Sequence, residues 1–137
     1  MKTILFTAAF LMAFKPAEPP KRVADYLKSI DHDAQWISDL YKIPKELILS
    51  QACQESGYGT SDNCLIYCNH FGIQGGIYDN QIECFVDYAR VLTLPCYDNL
   101  QPKTLDEWLL ALECCNYAGD KNYTQSLRII IEKYIKP

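Results

Sequence analysis

The chain has 137 residues, room for one ordinary domain and too little for two well-packed ones. Its composition, 49% hydrophobic and 22% charged, excludes a disordered, collagen-like or coiled-coil protein. Thirteen Lys and Arg against seventeen Asp and Glu give a net charge of −4, which argues against a nucleic-acid partner.

Lys2 followed by the uncharged, mostly apolar run Thr3 to Phe14 has the form of a signal peptide. The run is too short to cross a bilayer as a helix, which takes about 20 residues. Residues 1–17 are read as this signal, with cleavage after Ala13 or Ala17. Cleavage after Ala17 leaves no stable membrane insertion and, by removing Lys2 and Lys15, takes the net charge from −4 to −6. Pro16, Pro19 and Pro20 make the next stretch non-helical, so residues 18–22 are read as a linker and 23–137 as the domain.

Two short helices are predicted first, Lys21 to Ile30 and Ala34 to Tyr41, the second with Trp36, Ile37 and Leu40 along one stripe. Pro44, at a first helical position, launches a third over Lys45 to Ser56, which Gly57 and Gly59 stop. Thr60 to Tyr78 is rich in Asn, Gly, Ser and Asp, and its one strand-like piece is Phe71 to Gln74. Asp79 or Asn80 caps a helix from Gln81 to about Leu92, with Ile82, Val86, Ala89 and Leu92 inward. Thr104 to Glu107 is a capping box that opens a helix to about Asn116. A last helix follows Asp120, with Tyr123, Leu127, Ile130, Ile131 and Tyr134 spaced for burial.

Seven cysteines and ten tyrosines are the compositional outliers, suggesting an oxidising compartment and an aromatic-lined groove. Disulfides with one spare thiol are expected, in no readable pairing. Cys64, Cys68, His70 and Cys84 have a Cys-x3-Cys-x-His spacing that is irregular for zinc, so neither metal nor other cofactor is assigned. His32 and His70 read as surface or loop histidines.

Glu55 is the most informative residue. Ile48, Ala52 and Glu55 sit at i, i+4 and i+7, which places a carboxylate beside an apolar stripe in a helix's last turn. Partial desolvation and the negative end of the helix dipole both disfavour its charged form. A carboxyl kept protonated near neutral pH suits a general acid that gives a proton to a glycosidic oxygen.

The stretch Ile43-Pro44 to Ile48-Leu49-Ser50-Gln51-Ala52-Cys53-Gln54-Glu55-Ser56-Gly57-Tyr58-Gly59 resembles the IP…LAQAALESGWG motif of glycoside hydrolase family 73. These are peptidoglycan N-acetylglucosaminidases of the flagellar and autolysin type, within the lysozyme-like superfamily. Asn69 to Gln74 is similar to the family's N-x-FGIK, Asp87 to Leu92 to its DYxxLL helix, and Asn116 to Tyr123 to its GYATDPNY segment. The four segments occur in the family's order across roughly residues 34 to 134.

The resemblance implies a mainly α (α+β lysozyme-like) fold and an exported, monomeric enzyme acting on peptidoglycan glycan strands in the periplasm or outside the cell. It implies Glu55 as general acid and Tyr117 as a tyrosine close to the reacting sugar. Tyr58, in place of the usual Trp, and Phe71, Gln74 and Tyr78 are the implied substrate-binding residues, while Tyr123 reads as core packing. The family's β-hairpin, which usually carries a second acid, is cut here to Gly75-Gly76-Ile77-Tyr78. Asp79 and Glu83 are the nearest candidates for that acid, each also readable as a helix cap. Without a second acid, the substrate's N-acetyl group or the muramic 6-hydroxyl takes its part. The competing readings are a lytic transglycosylase, a muramidase or a non-catalytic peptidoglycan-binding protein.

Overall fold

The computed structural model describes residues 17–137. The signal-peptide reading therefore falls, but for Ala17, outside the described residues.

Helix α1 spans Lys21–Tyr41 as one piece, where two helices were expected. Asp31, His32 and Asp33 are mediocre helix formers but not breakers. The inward stripe Val23, Tyr26, Ile30, Ala34 and Ile37 runs straight through them. That register leaves Trp36 at 45% and Leu40 at 57% exposure, so only Ile37 of the expected stripe is buried.

Helix α2, Lys45–Ser56, is the centre of the molecule and packs against α1, α6 and α7. Eight of its twelve residues are buried, which is why it shows almost no amphipathic face. Pro44 stands one residue outside it, at the N-cap.

The insert that follows holds a short helix, α3 (Asp62–Tyr67), which its polar composition concealed. Ser61 caps it by accepting from the Cys64 N–H. The strand-like Phe71 to Gln74 forms no strand, and none occurs among the described residues. Instead the Asn69 side chain closes a turn. Its Oδ1 accepts from the Ile73 N–H, and its Nδ2 donates to the carbonyls of Ile73 and Gly76. The segment expected to form a reduced β-lobe is thus a loop pinned by one amide.

Helix α4, Gln81–Val91, is capped by Asn80 and buries Cys84, Phe85, Tyr88 and Ala89. Ile82 and Val86, expected inward, are only half-buried. A second unanticipated helix, α5 (Pro95–Leu100), starts at a proline in its first turn. Helix α6, Leu105–Cys114, opens with the expected Thr104–Glu107 capping box. Helix α7, Tyr123–Ile130, runs into a π-helical turn over Ile131–Ile135. Tyr123, Leu127, Ile130 and Ile131 are buried as expected, Tyr134 only in part.

One disulfide, Cys96–Cys115, ties the start of α5 to the end of α6. Cys53, Cys64, Cys68, Cys84 and Cys114 are free, which corrects the expectation of one spare thiol. Cys53, Cys64 and Cys84 sit in the interior as small apolar side chains. Alkylating the denatured, unreduced chain should therefore add five labels, and seven after reduction, as counted by intact mass. A single label before reduction would contradict this arrangement.

Candidate active site

The last turn of α2 carries Glu55. Gly57 ends the helix by adopting a left-handed conformation (φ 56°), its N–H donating to the Cys53 carbonyl. The chain turns away there, leaving Glu55 half-buried on the wall of a cleft of about 560 Å³. Phe71, Gly72, Ile73 and Gln74 line one side of this cleft. Leu94, Cys96 and Tyr97 of the α5 region and the segment Cys115 to Ala118 also line it. Among the described residues lining it, Glu55 is the sole carboxylate, and there is no lysine or arginine.

Phe71 is buried and stacks on Tyr88 at 3.9 Å between ring centroids, with Phe85 edge-on at 4.9 Å. This aromatic packing fixes the backbone at Gly72, whose φ of +63° suits glycine. A Cβ at that position would lie 3.3 Å from Glu55 Oε2, so the glycine also makes room for the carboxyl.

The other carboxyl oxygen is held from behind. Tyr123 Oη donates to Glu55 Oε1 at 2.7 Å. Gln51 Nε2 donates to Tyr123 Oη at 3.1 Å, and Tyr88 Oη donates to Gln51 Oε1 at 2.5 Å. Burial raises the Glu55 pKa above its ordinary value, and the Tyr123 hydrogen bond partly opposes that rise. Tyr117 stacks on Tyr123 at 5.6 Å, and burial together with the nearby Glu55 raises its phenol pKa. The Cys96–Cys115 disulfide lies in the cleft wall two residues before Tyr117.

Glu55, Phe71, Gln74 and Tyr117 are thus brought together in one cleft. Tyr58 does not line it and meets the Tyr134 ring edge-on. Tyr78 donates to Asp87 Oδ2 and lines a separate surface cavity with Trp36 and Glu83. Glu83 accepts from the Asp79 N–H and the Asn80 amide, while its own N–H donates to Asn80 Oδ1. Its carboxylate is therefore a cap of α4, and neither Asp79 nor Glu83 lines the Glu55 cleft. His70, expected at the surface, is buried with Nδ1 2.9 Å from the Tyr26 hydroxyl, and burial lowers its pKa.

Sequence reasoning missed Tyr123, Gln51 and Tyr88 as partners of Glu55. Gln51 carried a usable signal, an uncharged polar residue one helical turn before Glu55 in a run that is otherwise core.

A family profile described as Glucosaminidase, mannosyl-glycoprotein endo-beta-N-acetylglucosaminidase, matches residues 31–136. The chain belongs to the glucosaminidase family. Two solved structures are similar to it. The catalytic domain of the autolysin Auto from Listeria monocytogenes aligns with a TM-score of 0.69 at 20% identity, covering 87% of this chain and 88% of that one. The glycoside hydrolase domain of FlgJ from Salmonella typhimurium aligns with a TM-score of 0.67 at 25% identity, covering 80% and 86%. A search of curated protein sequences finds no match. The fold is lysozyme-like, as the sequence led us to expect, and the family member is a glycoside hydrolase.

Gly72→Ala tests the packing around the carboxyl. The left-handed backbone costs a non-glycine residue roughly 1–2 kcal/mol, and the new Cβ presses on Glu55 Oε2. Thermal unfolding should show a destabilised fold, and turnover on cell walls should fall. An unchanged melting temperature and unchanged turnover would contradict this geometry.

Proposed function

We propose that this glucosaminidase cleaves a β-1,4 bond of the peptidoglycan glycan strand as an endo-N-acetylglucosaminidase, with Glu55 as general acid. One observation carries the reading: a half-buried carboxyl, its proton affinity raised by burial, is the only acid lining the cleft among the described residues. Such a group holds its proton toward neutral pH and gives it to the leaving oxygen as the bond breaks. Tyr117 orients the acetamido group or steadies the charged intermediate, while Phe71 and Gln74 form the floor on which the sugar lies.

Two-carboxylate hydrolysis needs a second acid across the bond, and the positions of Asp79 and Glu83 argue against either in that part. The substrate's own N-acetyl group is then the nucleophile, a recognised exception to the two-acid scheme. The same lack of a second cleft carboxylate favours a second reading, attack by the muramic 6-hydroxyl as in a lytic transglycosylase, which leaves anhydro ends.

The disulfide supports an oxidising compartment, and no helix of the described residues is long and apolar enough to cross a membrane. Both agree with export to the periplasm or beyond under direction of residues 1–17. An acidic enzyme gains little long-range steering toward an anionic wall, so affinity comes from contacts with neutral sugars.

Glu55→Gln should reduce release of glycan fragments from purified walls by about 10²- to 10⁴-fold. Wild-type turnover should fall as pH rises through the elevated Glu55 pKa, because only the protonated acid works. The sign for stability follows from the same shift. A raised carboxyl favours the folded state below its ordinary pKa, and that benefit disappears as pH climbs through the folded value. Glu55→Gln should therefore melt no lower than wild type at neutral pH. Full activity in that variant would overturn the assignment.

A further inference from the structure

We propose that Tyr88, Gln51 and Tyr123 form a one-way hydrogen-bond chain that places the acidic proton of Glu55 on Oε2, which makes all three positioning residues. The proposal rests on Glu55 being the general acid.

The direction follows from the donor and acceptor capacity of each group. Tyr88 and Gln51 are both 0% exposed, so each polar atom must be satisfied inside the protein. The amide oxygen of Gln51 only accepts, and it takes the single hydroxyl proton of Tyr88 at 2.5 Å. This turns the Gln51 amide nitrogen toward Tyr123. That nitrogen only donates, so the Tyr123 oxygen receives its hydrogen at 3.1 Å. The one proton of Tyr123 is then directed to Glu55 Oε1 at 2.7 Å. Were the amide reversed, its oxygen would draw the Tyr123 proton away from Glu55. The buried Tyr88 hydroxyl would then lose its acceptor. Tyr88, which does not itself line the cleft, selects the productive arrangement.

The consequence at Glu55 concerns its two oxygens. Oε1 accepts from Tyr123 and behaves as the carbonyl oxygen of the protonated acid. The transferable proton lies on Oε2, which has no hydrogen-bond donor among the described residues and lies beside Gly72. When the O–H bond of Glu55 breaks and the proton passes to the glycosidic oxygen, the electron pair stays on the carboxylate. Tyr123 then bonds to an anion, and a hydrogen bond to an ion is stronger than one to a neutral acid. The chain thus stabilises the transition state more than the resting acid. The other titratable groups around Glu55 are Tyr117 from the α6–α7 segment and Tyr97 of α5.

The test compares wild type with Tyr123→Phe, Tyr88→Phe and Glu55→Gln in the full chain. It reads kcat, KM and the pH profile on solubilised glycan strands. It also reads the Glu55 titration by carboxyl-carbon NMR, assigned from Glu55→Gln. Tyr123→Phe should lower kcat about tenfold or more with KM little changed, and move the basic limb and the Glu55 titration up by roughly one pH unit. A purely structural role would lower activity without that upward shift. Tyr88→Phe should shift both in the same direction by less, since the amide is then free to reverse. Wild-type titration in both variants overturns the proposal, whatever their stability. If Tyr123→Phe does not fold, the Tyr88→Phe titration decides alone. An active Glu55→Gln sinks the general-acid reading, while the NMR shifts still report whether the chain tunes the carboxyl.

Discussion

The candidate site depends on a single carboxyl being kept partly out of water at the end of the most buried helix. Two thirds of the residues of α2 are buried where it packs against α1, α6 and α7, and such a helix could equally have ended inside the core. Gly57 ends it at the cleft wall instead, so Glu55 is shielded on its core side and open on the other. In the general-acid role proposed for Glu55, burial works for the chemistry, because desolvation favours the neutral, proton-carrying form. The cost is an acid whose conjugate base must be stabilised after it acts. Tyr123 meets that need from within the core, without placing a charge in the cleft.

The rest of the site is arranged around keeping this position rigid. Phe71 is wedged among Phe85 and Tyr88, so the loop carrying Gly72 is fixed by core packing rather than by sheet hydrogen bonds. Asn69 does with one side chain what a hairpin would do with several backbone pairs. On the far wall, α5 is short and exposed apart from Tyr97, and the disulfide holds its first turn against the end of α6. The cleft is therefore built without sheet hydrogen bonds among the described residues, and Glu55 is the one carboxylate among those that line it.

Much of this was legible in the sequence, for physical reasons that differ by element. The Thr104–Glu107 box, the Gly57 stop and the placement of Glu55 depend on local rules, and each lies where those rules put it. The lysozyme-like fold and the glucosaminidase family followed from ordered motifs. What escaped was set by tertiary context. The break expected at Asp31 to Asp33 failed because a continuous buried stripe outweighs three poor helix formers. The strand expected at Phe71 failed because a strand needs a partner, and the shortened insert supplies none. Tyr123 looked like core and is core, but its hydroxyl reaches a residue 68 positions away, which no local pattern encodes. Asp79 and Glu83 are close to the cleft in sequence, yet helix capping turns them elsewhere.

The tyrosines divide between packing and the hydrogen-bond chain behind Glu55, whereas Cys53, Cys64 and Cys84 serve as small core residues and Cys96 and Cys115 form the disulfide. The central claim is that one acid in this cleft breaks a glycosidic bond. Its most direct test is mass spectrometry of fragments released from a defined sacculus in water enriched in oxygen-18. The account predicts new N-acetylglucosamine reducing ends carrying one heavy oxygen. Release of material whose glycan strands remain uncut would contradict it.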